Sequence, residues 1–169
     1  MLKYFIPDAY YNSIYDIKIS DIKHGGIRGL ICDIDNTLVP YGEPEPTGQV
    51  AEWIKSIRSA NIAVSFVSNN GADRVKTFNR SMGYFAAAAS GKPSRRQLRA
   101  AMVAMDTTCT DTAIVGDQIF TDIFAGKRLG LYCILVDPIE DKRNVFFLLK
   151  RLFEKPFIYI YKTRKKKRP

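Results

Sequence analysis

Short apolar runs alternate with amphipathic stretches along most of this chain. Four apolar runs predict buried β-strands, at residues 29–32, 61–67, 112–116 and 131–136. Apolar residues also recur at helical spacing over residues 47–60, 72–82, 94–105 and 121–129. This alternation predicts a parallel sheet that is covered by helices on both faces and closed by the last of the four runs. The length of 169 residues suits one domain with a substantial core.

The first predicted strand ends in two carboxylates, Asp33 and Asp35, which are followed by an Asn and a Thr. Acids at the end of a buried strand are costly unless a cation or a reacting phosphate offsets their charge. An Asp can attack phosphorus to form an aspartyl-phosphate, and a second acid nearby can transfer protons. The pair therefore indicates phosphoryl transfer, although Asp also favours ordinary turns after strands.

The other groups that this chemistry needs follow in sequence order. Ser68 and Asn69 come directly after the second apolar run, and Lys92 precedes a helix for which Ser94 is the expected N-cap. The third run ends in Gly-Asp at Asp117, with Asp122 five residues later. Taken singly, these residues also fit a turn, a surface lysine and a helix cap. Their common position near the carboxyl ends of parallel strands, where ligands bind in open α/β sheets, favours a catalytic site.

These residues resemble the motifs of the haloacid-dehalogenase (HAD) superfamily. The four motifs correspond to residues 33–37 (Asp-Ile-Asp-Asn-Thr), Ser68, Lys92 and residues 116–122. The opening residues 1–7, together with residues 26–29, 67–70 and 116–118, resemble the bacterial YqeG family of HAD subfamily IIIA. The resemblance covers roughly residues 1–137. It implies a HAD-like Rossmannoid three-layer sandwich with a central parallel sheet.

The resemblance also implies roles for the acids. Asp33 would be the nucleophile and a ligand of Mg²⁺. Asp35 would protonate the leaving group and then activate water, and its backbone carbonyl would also bind the metal. Asp117 would complete the metal site. An acid at position 35 favours hydrolysis over formation of a phosphoenzyme alone.

The remaining motif residues would surround the phosphoryl group. By the resemblance, Ser68 and Lys92 would hold the transferring phosphoryl and take part in catalysis, with Asn69 as a further phosphate-binding residue. Asp122 would act from behind them, by orienting Lys92 or metal-bound water. No small organic cofactor is implied.

The spacing of the motifs leaves no room for a lid domain. Asp33 and Ser68 are 35 residues apart, and Ser68 and Lys92 are 24 apart. We therefore expect a capless enzyme with an open site, whose substrate is selected by a short flap at residues 41–46, by a partner subunit or by the size of the substrate itself.

Other chemistries are disfavoured by composition. The chain has one histidine, His24, so Ser-His catalysis and His-based zinc sites are improbable. Its three cysteines form no CxxC pair and suit reduced residues of a cytosolic protein. No run approaches the roughly 18 apolar residues of a membrane-spanning helix, and no signal peptide opens the chain. We expect a cytoplasmic protein, either soluble or peripheral on the inner face of the membrane.

The positive charge is concentrated at the C-terminus. Residues 142–169 hold 11 Lys and Arg and one acid, Glu154, and so carry +10, whereas the rest of the chain carries −1. An apolar helical stretch at residues 144–153 precedes the aromatic residues 157–161 and a polybasic run. This pattern predicts a phosphatase domain at residues 1–156 and a basic aromatic tail at residues 157–169. The tail fits an anionic membrane surface, RNA or a ribosome, or a solvated end.

Together these features predict a Mg²⁺-dependent phosphomonoesterase. The YqeG family resembles the mitochondrial phosphatidylglycerophosphate phosphatases, and an open site beside a membrane-seeking tail suits such an anionic phospholipid. One departure is Ile34, where that lipid branch often carries Lys. The alternatives are a phosphatase of a nucleic-acid end, a phosphoprotein or a metabolite, and an RNA- or ribosome-associated protein that works through its basic tail.

Overall fold

The computed structural model describes residues 2–140 and 145–166, except for the side chains of residues 145–148, 150, 151 and 166. Within this part of the chain, six strands form one parallel sheet in the order β1-β6-β5-β2-β3-β4. The strands are β1 (Ala9–Tyr11), β2 (Gly29–Cys32), β3 (Ala63–Val67), β4 (Phe85–Ala87), β5 (Thr112–Gly116) and β6 (Tyr132–Val136). The helices are α1 (Ile19–His24), α2 (Gly48–Ser59), α3 (Ala72–Asn79), α4 (Arg96–Met105), α5 (Phe124–Leu129) and α6 (Val145–Lys166). A π-helical turn at Ile119–Ile123 leads directly into α5, and single 3₁₀ turns lie at Leu2–Phe5 and Ile14–Asp16.

The sheet is buried on both faces because its central strands alternate between two apolar clusters. In β2, Leu30 and Cys32 join one cluster, whereas Ile31 joins the other. The first cluster includes the buried side chains of α2, which are Val50, Trp53, Ile54 and Ile57. The second includes Leu98 and Met102 of α4. This side-chain period of two gives the three-layer α/β sandwich predicted from the sequence.

The predicted helices are present, with shifts at their ends. Thr47 caps α2 by accepting a hydrogen bond from the Val50 backbone N–H at 3.2 Å. The helix α3 ends at Asn79, earlier than the predicted residue 82. The prediction that Ser94 is the N-cap of α4 is wrong. The N-cap is Arg95, and the Ser94 hydroxyl lies one residue further out, 3.5 Å from the Arg96 N–H.

The sequence pattern did not predict β1, the strand at one edge of the sheet. The strand predicted to close the sheet, β6, lies inside it, because β1 pairs in parallel along its outer side. Only three residues form β1, and they include two tyrosines that are partly exposed, so the strand carries no extended apolar run. Its place is decided by pairing with a strand more than a hundred residues later in the chain.

The C-terminal region forms one helix through the boundary predicted at residues 156 and 157. Pro156 lies inside α6. The centre of the Phe157 ring lies 5.2 Å from that of Phe5 and 6.0 Å from that of Phe120. Further along the helix, the ring of Tyr161 packs edge-on against that of Tyr10, with the two ring centres 6.2 Å apart. Residues 141–144 and 167–169, which include the ends of the predicted stretch and tail, lie outside the described residues. Among the described helices, none combines the length and apolar character needed to cross a membrane.

Candidate active site

The end of β2 aims two buried carboxylates into one cleft. Asp33 still belongs to the sheet, since its backbone N–H donates to the Val115 carbonyl at 3.0 Å. The chain then turns at Asn36, whose φ of 65° is a left-handed conformation that Asn tolerates. The Asn36 side chain fixes this turn through two hydrogen bonds to the backbone of Glu140. Its amide donates to the Glu140 carbonyl, and its oxygen accepts from the Glu140 N–H, both at 2.8 Å. As a result Asp33 and Asp35 are only 6% and 7% exposed.

Lys92 lies at the centre of the site. Its ammonium is 2.7 Å from the carboxylates of Asp33 and Asp122 and donates to the Val67 carbonyl at 2.7 Å. An ammonium has three hydrogens, and three oxygens lie 2.7 Å from this one. The side chain is only 2% exposed, which excludes the surface lysine considered from the sequence.

Asn69 holds the segment that carries Lys92. Its side-chain oxygen accepts hydrogen bonds from the Ser90 hydroxyl and the Lys92 backbone N–H, both at 2.7 Å. Its side-chain amide donates to the Lys92 carbonyl at 3.1 Å. Asn69 therefore positions Lys92 in this structure, and the phosphate contact predicted for Asn69 stays a prediction.

Three buried acids surround this lysine. The carboxylate oxygens of Asp33, Asp117 and Asp122 all lie within 4.8 Å of one another. Asp122 approaches so closely because residue 116 is glycine. A Cβ atom there would lie 2.4 Å from the Asp122 carboxyl carbon. Asp122 also accepts from the Gln118 N–H at 3.2 Å, so the π-helical turn fixes its orientation.

The electrostatics of this cluster favour a divalent cation. Burial, followed by the neighbouring charges of Asp122 and Asp117, raises the pKa of Asp33 to about 8, although Lys92 acts in the opposite direction. Burial alone lowers the pKa of Lys92, but the two adjacent carboxylates together raise it above its ordinary value. Two carboxylates thus pair with one ammonium, and a third, that of Asp117, lies within 4.8 Å of both. Asp33, Asp117 and the backbone carbonyl of Asp35 offer the oxygen ligands that a hard divalent ion prefers, and such an ion would offset the excess negative charge.

Asp35 is held by residues that follow β3. The Ser68 hydroxyl donates to it at 3.1 Å and the Asn70 side-chain amide at 3.3 Å. Arg74 donates from Nε at 3.1 Å and places Nη2 at 3.1 Å from the same carboxylate oxygen. The third guanidinium nitrogen, Nη1, donates to the Pro44 carbonyl at 2.8 Å. Arg74 thereby connects Asp35 to the predicted flap at residues 41–46.

Sequence reasoning missed Asn70, Arg74 and Thr37. Thr37 places its hydroxyl 3.4 Å from an Asp117 carboxylate oxygen. Asn70 lies just before α3 and Arg74 in its first turn, so both follow the second motif closely along the chain. That proximity is the signal that could have indicated Arg74.

No lid domain is inserted between Asp33 and Lys92, a range that the structure describes throughout. The connection from Asp33 to α2 consists of the turn and the flap, and the connection from Ser68 to β4 holds only α3 and a turn. The predicted capless architecture is confirmed.

The fold is that of HAD proteins. Residues 89–138 match the family model described as HAD-hydrolase-like. An uncharacterized protein from Listeria monocytogenes serotype 4b superposes with a TM-score of 0.56 and 18% identity, covering 70% of this chain and 85% of that chain. A putative 3-deoxy-D-manno-octulosonate 8-phosphate phosphatase from Vibrio cholerae gives 0.55 and 12%, covering 79% and 76%. At these identities the likeness shows the fold alone.

Fold, motif residues and comparisons together define a HAD-type phosphatase. The chain is 31% identical over 162 residues to Probable phosphatase YqeG of Bacillus subtilis (strain 168), a match that covers 96% of this chain and 94% of that protein. The chain belongs to the YqeG family, as the sequence motifs predicted.

Proposed function

We propose that this phosphatase is Mg²⁺-dependent, acts through an aspartyl-phosphate on Asp33, and converts phosphatidylglycerophosphate to phosphatidylglycerol at a membrane surface. The observation that carries the chemistry is the buried cluster of Asp33, Asp117 and Asp122 around Lys92, with Asp35 beside it. No ordinary packing role accounts for three clustered buried carboxylates with one ammonium between two of them.

The reaction takes two displacements on phosphorus. In the first, a carboxylate oxygen of Asp33 attacks phosphorus, the bond to the leaving oxygen breaks, and Asp35 gives that oxygen its proton. In the second, Asp35 takes a proton from water, the water oxygen attacks phosphorus, and the bond to Asp33 breaks. Inorganic phosphate leaves and both acids return to their starting states.

Ser68 and Lys92 would hold the phosphoryl oxygens during both steps. Both side chains already touch a reacting acid, Ser68 at Asp35 and Lys92 at Asp33, so each need only exchange that contact for a phosphoryl oxygen. Asp122 keeps Lys92 in place while this exchange occurs. Mg²⁺ held by Asp33, Asp117 and the Asp35 carbonyl would supply the positive charge that offsets the phosphate.

The surface of α6 supports a membrane-bound substrate. Leu149, Leu152, Phe153 and Tyr159 are all exposed, and their spacing places them on one side of the helix. We call these four residues the apolar stripe. Lys155 and Lys162 are exposed beside it. An apolar stripe with flanking lysines is typical of a helix that lies in the interface of an anionic bilayer.

A further exposed apolar residue, Ile139, lies next to the catalytic turn, because its backbone N–H donates to the Asn36 carbonyl at 3.1 Å. An open cleft with apolar surface at its rim suits a substrate whose phosphate stands at a lipid surface better than one that must be enclosed by protein.

The test is release of phosphate from phosphatidylglycerophosphate in anionic vesicles with Mg²⁺, with Asp33→Asn as the blank. We expect Leu152→Ser/Phe153→Ser to lose activity on vesicles and to keep activity on soluble p-nitrophenyl phosphate. Val103→Ser, at an exposed apolar position on α4, is the matched control. Turnover of soluble phosphomonoesters alone would refute the lipid substrate and retain the chemistry. No turnover of either would refute both.

A further inference from the structure

The last turns of α6 lie at the edge of the sheet formed by β1, away from the strands β2, β3 and β5 that precede the catalytic residues. Glu154, midway along the helix, accepts a hydrogen bond from the Ile119 N–H just beyond the carboxyl end of β5. Arg164 and Lys165 instead line a cavity with Asp8 and Tyr132, which stand at the amino ends of β1 and β6. The helix therefore runs from the carboxyl end of β5 to the β1 edge of the sheet. Because neighbouring strands lie about 4.8 Å apart and β6 lies between them, β1 is about 10 Å from β5.

This cavity brings together cations from three separate parts of the chain. Its volume is about 680 Å³, and its lining includes Lys3, Lys127, Arg164 and Lys165. We call it the basic groove. A second cavity of about 580 Å³ shares Lys3, Lys127, Asp8 and Tyr132 with it. Each cavity has the size of a small-molecule site, roughly 300–1,000 Å³.

The positive charge in the basic groove is largely uncompensated. Asp8 is the one acid among the described residues that line it, and both of its oxygens are occupied. One lies 2.5 Å from the Lys127 ammonium and the other accepts from the Cys133 N–H at 2.8 Å. Within the described part of the chain, Lys3, Arg164 and Lys165 form no ion pair. Like charges that converge in a concave surface repel unless an anion lies between them.

Tyrosine side chains complete the lining with neutral hydroxyl groups. Tyr11, Tyr132 and Tyr161 all border the cavity. Burial, and then nearby acids, raise the pKa values of Tyr11 and Tyr132, so their hydroxyls keep their protons and can donate hydrogen bonds. Ammonium, guanidinium and hydroxyl donors around one cavity form the donor set that recognises phosphate oxygens.

We propose that the basic groove is a second anion site, separate from the catalytic cleft, that binds a small ligand carrying a phosphate group with two or more negative charges. The phosphate has two sources, a soluble phosphorylated molecule or the headgroup of an anionic lipid, and both offer the same oxygens. The groove is concave, which favours a ligand that enters it over a flat bilayer that contacts protruding side chains. The site does not depend on the substrate proposed for the catalytic cleft.

The test is a titration of the full chain with inorganic pyrophosphate, followed by the amide NMR signals of Lys127, Gly130 and Tyr132. We expect saturable shifts with a dissociation constant below about 1 mM. Lys3→Ala/Arg164→Ala/Lys165→Ala should weaken this binding at least about tenfold. All three positions are exposed, so the fold should be retained, which the melting temperature checks. Lys55→Ala/Lys76→Ala/Arg80→Ala removes the same charge at exposed positions elsewhere and should bind as the unchanged chain does.

Vesicles of phosphatidic acid, whose phosphomonoester headgroup can carry two negative charges, form the second arm. Shifts with both pyrophosphate and vesicles would support the site and make a lipid headgroup one of its ligands. Shifts with pyrophosphate alone would support the site with a soluble ligand. The proposal is overturned if only vesicles shift these signals, if shifts are confined to residues around Ser68, or if the control variant loses binding equally. Because binding is read at the groove itself, these outcomes are distinct from failure of the proposed catalytic activity.

Discussion

Replacing Arg74 by Met should reveal whether this residue positions the proton donor. The substitution removes two contacts to Asp35, at 3.1 Å each, and the 2.8 Å hydrogen bond to the Pro44 carbonyl. Asp35 keeps its bonds to Ser68 and Asn70, so the carboxylate remains in the cleft but is free to rotate. The side chain of Arg74 is 14% exposed, and a charge-assisted bond in such a place is worth about 1.5–3 kcal/mol.

The loss should depend on the leaving group. General acid catalysis contributes about 10²–10⁴ to the rate, and a misplaced acid forfeits part of this. Because Asp35 also activates water in the second step for either substrate, the quantity to compare is kcat/KM, which reports only the steps through departure of the leaving group. For an alkyl phosphate, whose leaving oxygen needs a proton, we expect kcat/KM to fall about tenfold to a hundredfold. For p-nitrophenyl phosphate, whose leaving group departs without a proton, the fall should be less than about threefold. The assay is steady-state phosphate release from glycerol phosphate and from p-nitrophenyl phosphate.

Two controls make the result interpretable. Arg80→Met removes an exposed arginine directly after α3 and should change neither rate. Asp35→Asn should show a larger leaving-group dependence than Arg74→Met. Equal losses on both substrates in Arg74→Met would refute the positioning role, because a general disturbance of the cleft does not discriminate between leaving groups. If Asp35→Asn itself shows no such dependence, the assignment of Asp35 as the proton donor is wrong.

Three further predictions follow from single contacts. Gly116→Ala should abolish most activity, because the added Cβ atom would displace Asp122 and with it Lys92. Phosphate release and a crystal structure of the variant are the measurements. Asn69→Ala removes three hydrogen bonds around Lys92 and should lower the free energy of unfolding by about 1–3 kcal/mol, measured by urea denaturation. Phe157→Ala should cost about 1–3 kcal/mol, measured the same way, because it removes the ring that anchors α6.

Each of these has a matched comparison. Gly42→Ala, where an added methyl group meets no atom within 4 Å, should keep full activity. Tyr159→Ala, at an exposed position of α6, should change stability far less than Phe157→Ala, and equal effects would contradict the anchoring role. An Asn69→Ala variant as stable as the unchanged chain would show that the backbone alone holds the Lys92 segment.

Much of this protein was readable from local sequence because local sequence carries the relevant physics. Short continuous apolar runs predicted the central strands, and apolar residues at helical spacing predicted the four main helices. The catalytic motifs were identifiable because each stands at the end of an apolar run, so their order along the chain predicted that Asp33, Ser68 and Asp117 meet at one edge of the sheet. The geometry of parallel strands brings about that meeting without further information.

The tertiary structure decided the contacts between segments whose spacing carries no pattern. Arg74 reaches Asp35 across 39 positions, and only the pairing of β2 with β3, the strand that α3 follows, sets that distance. In the sequence, Pro156 indicated a break in the C-terminal helix, since proline lacks the N–H that a helix needs. The rings of Phe157 and Tyr161 pack on the far side of it, and these contacts with distant residues hold α6 together. The direction of that helix in turn places Arg164 and Lys165 at the β1 edge of the sheet, away from the catalytic residues.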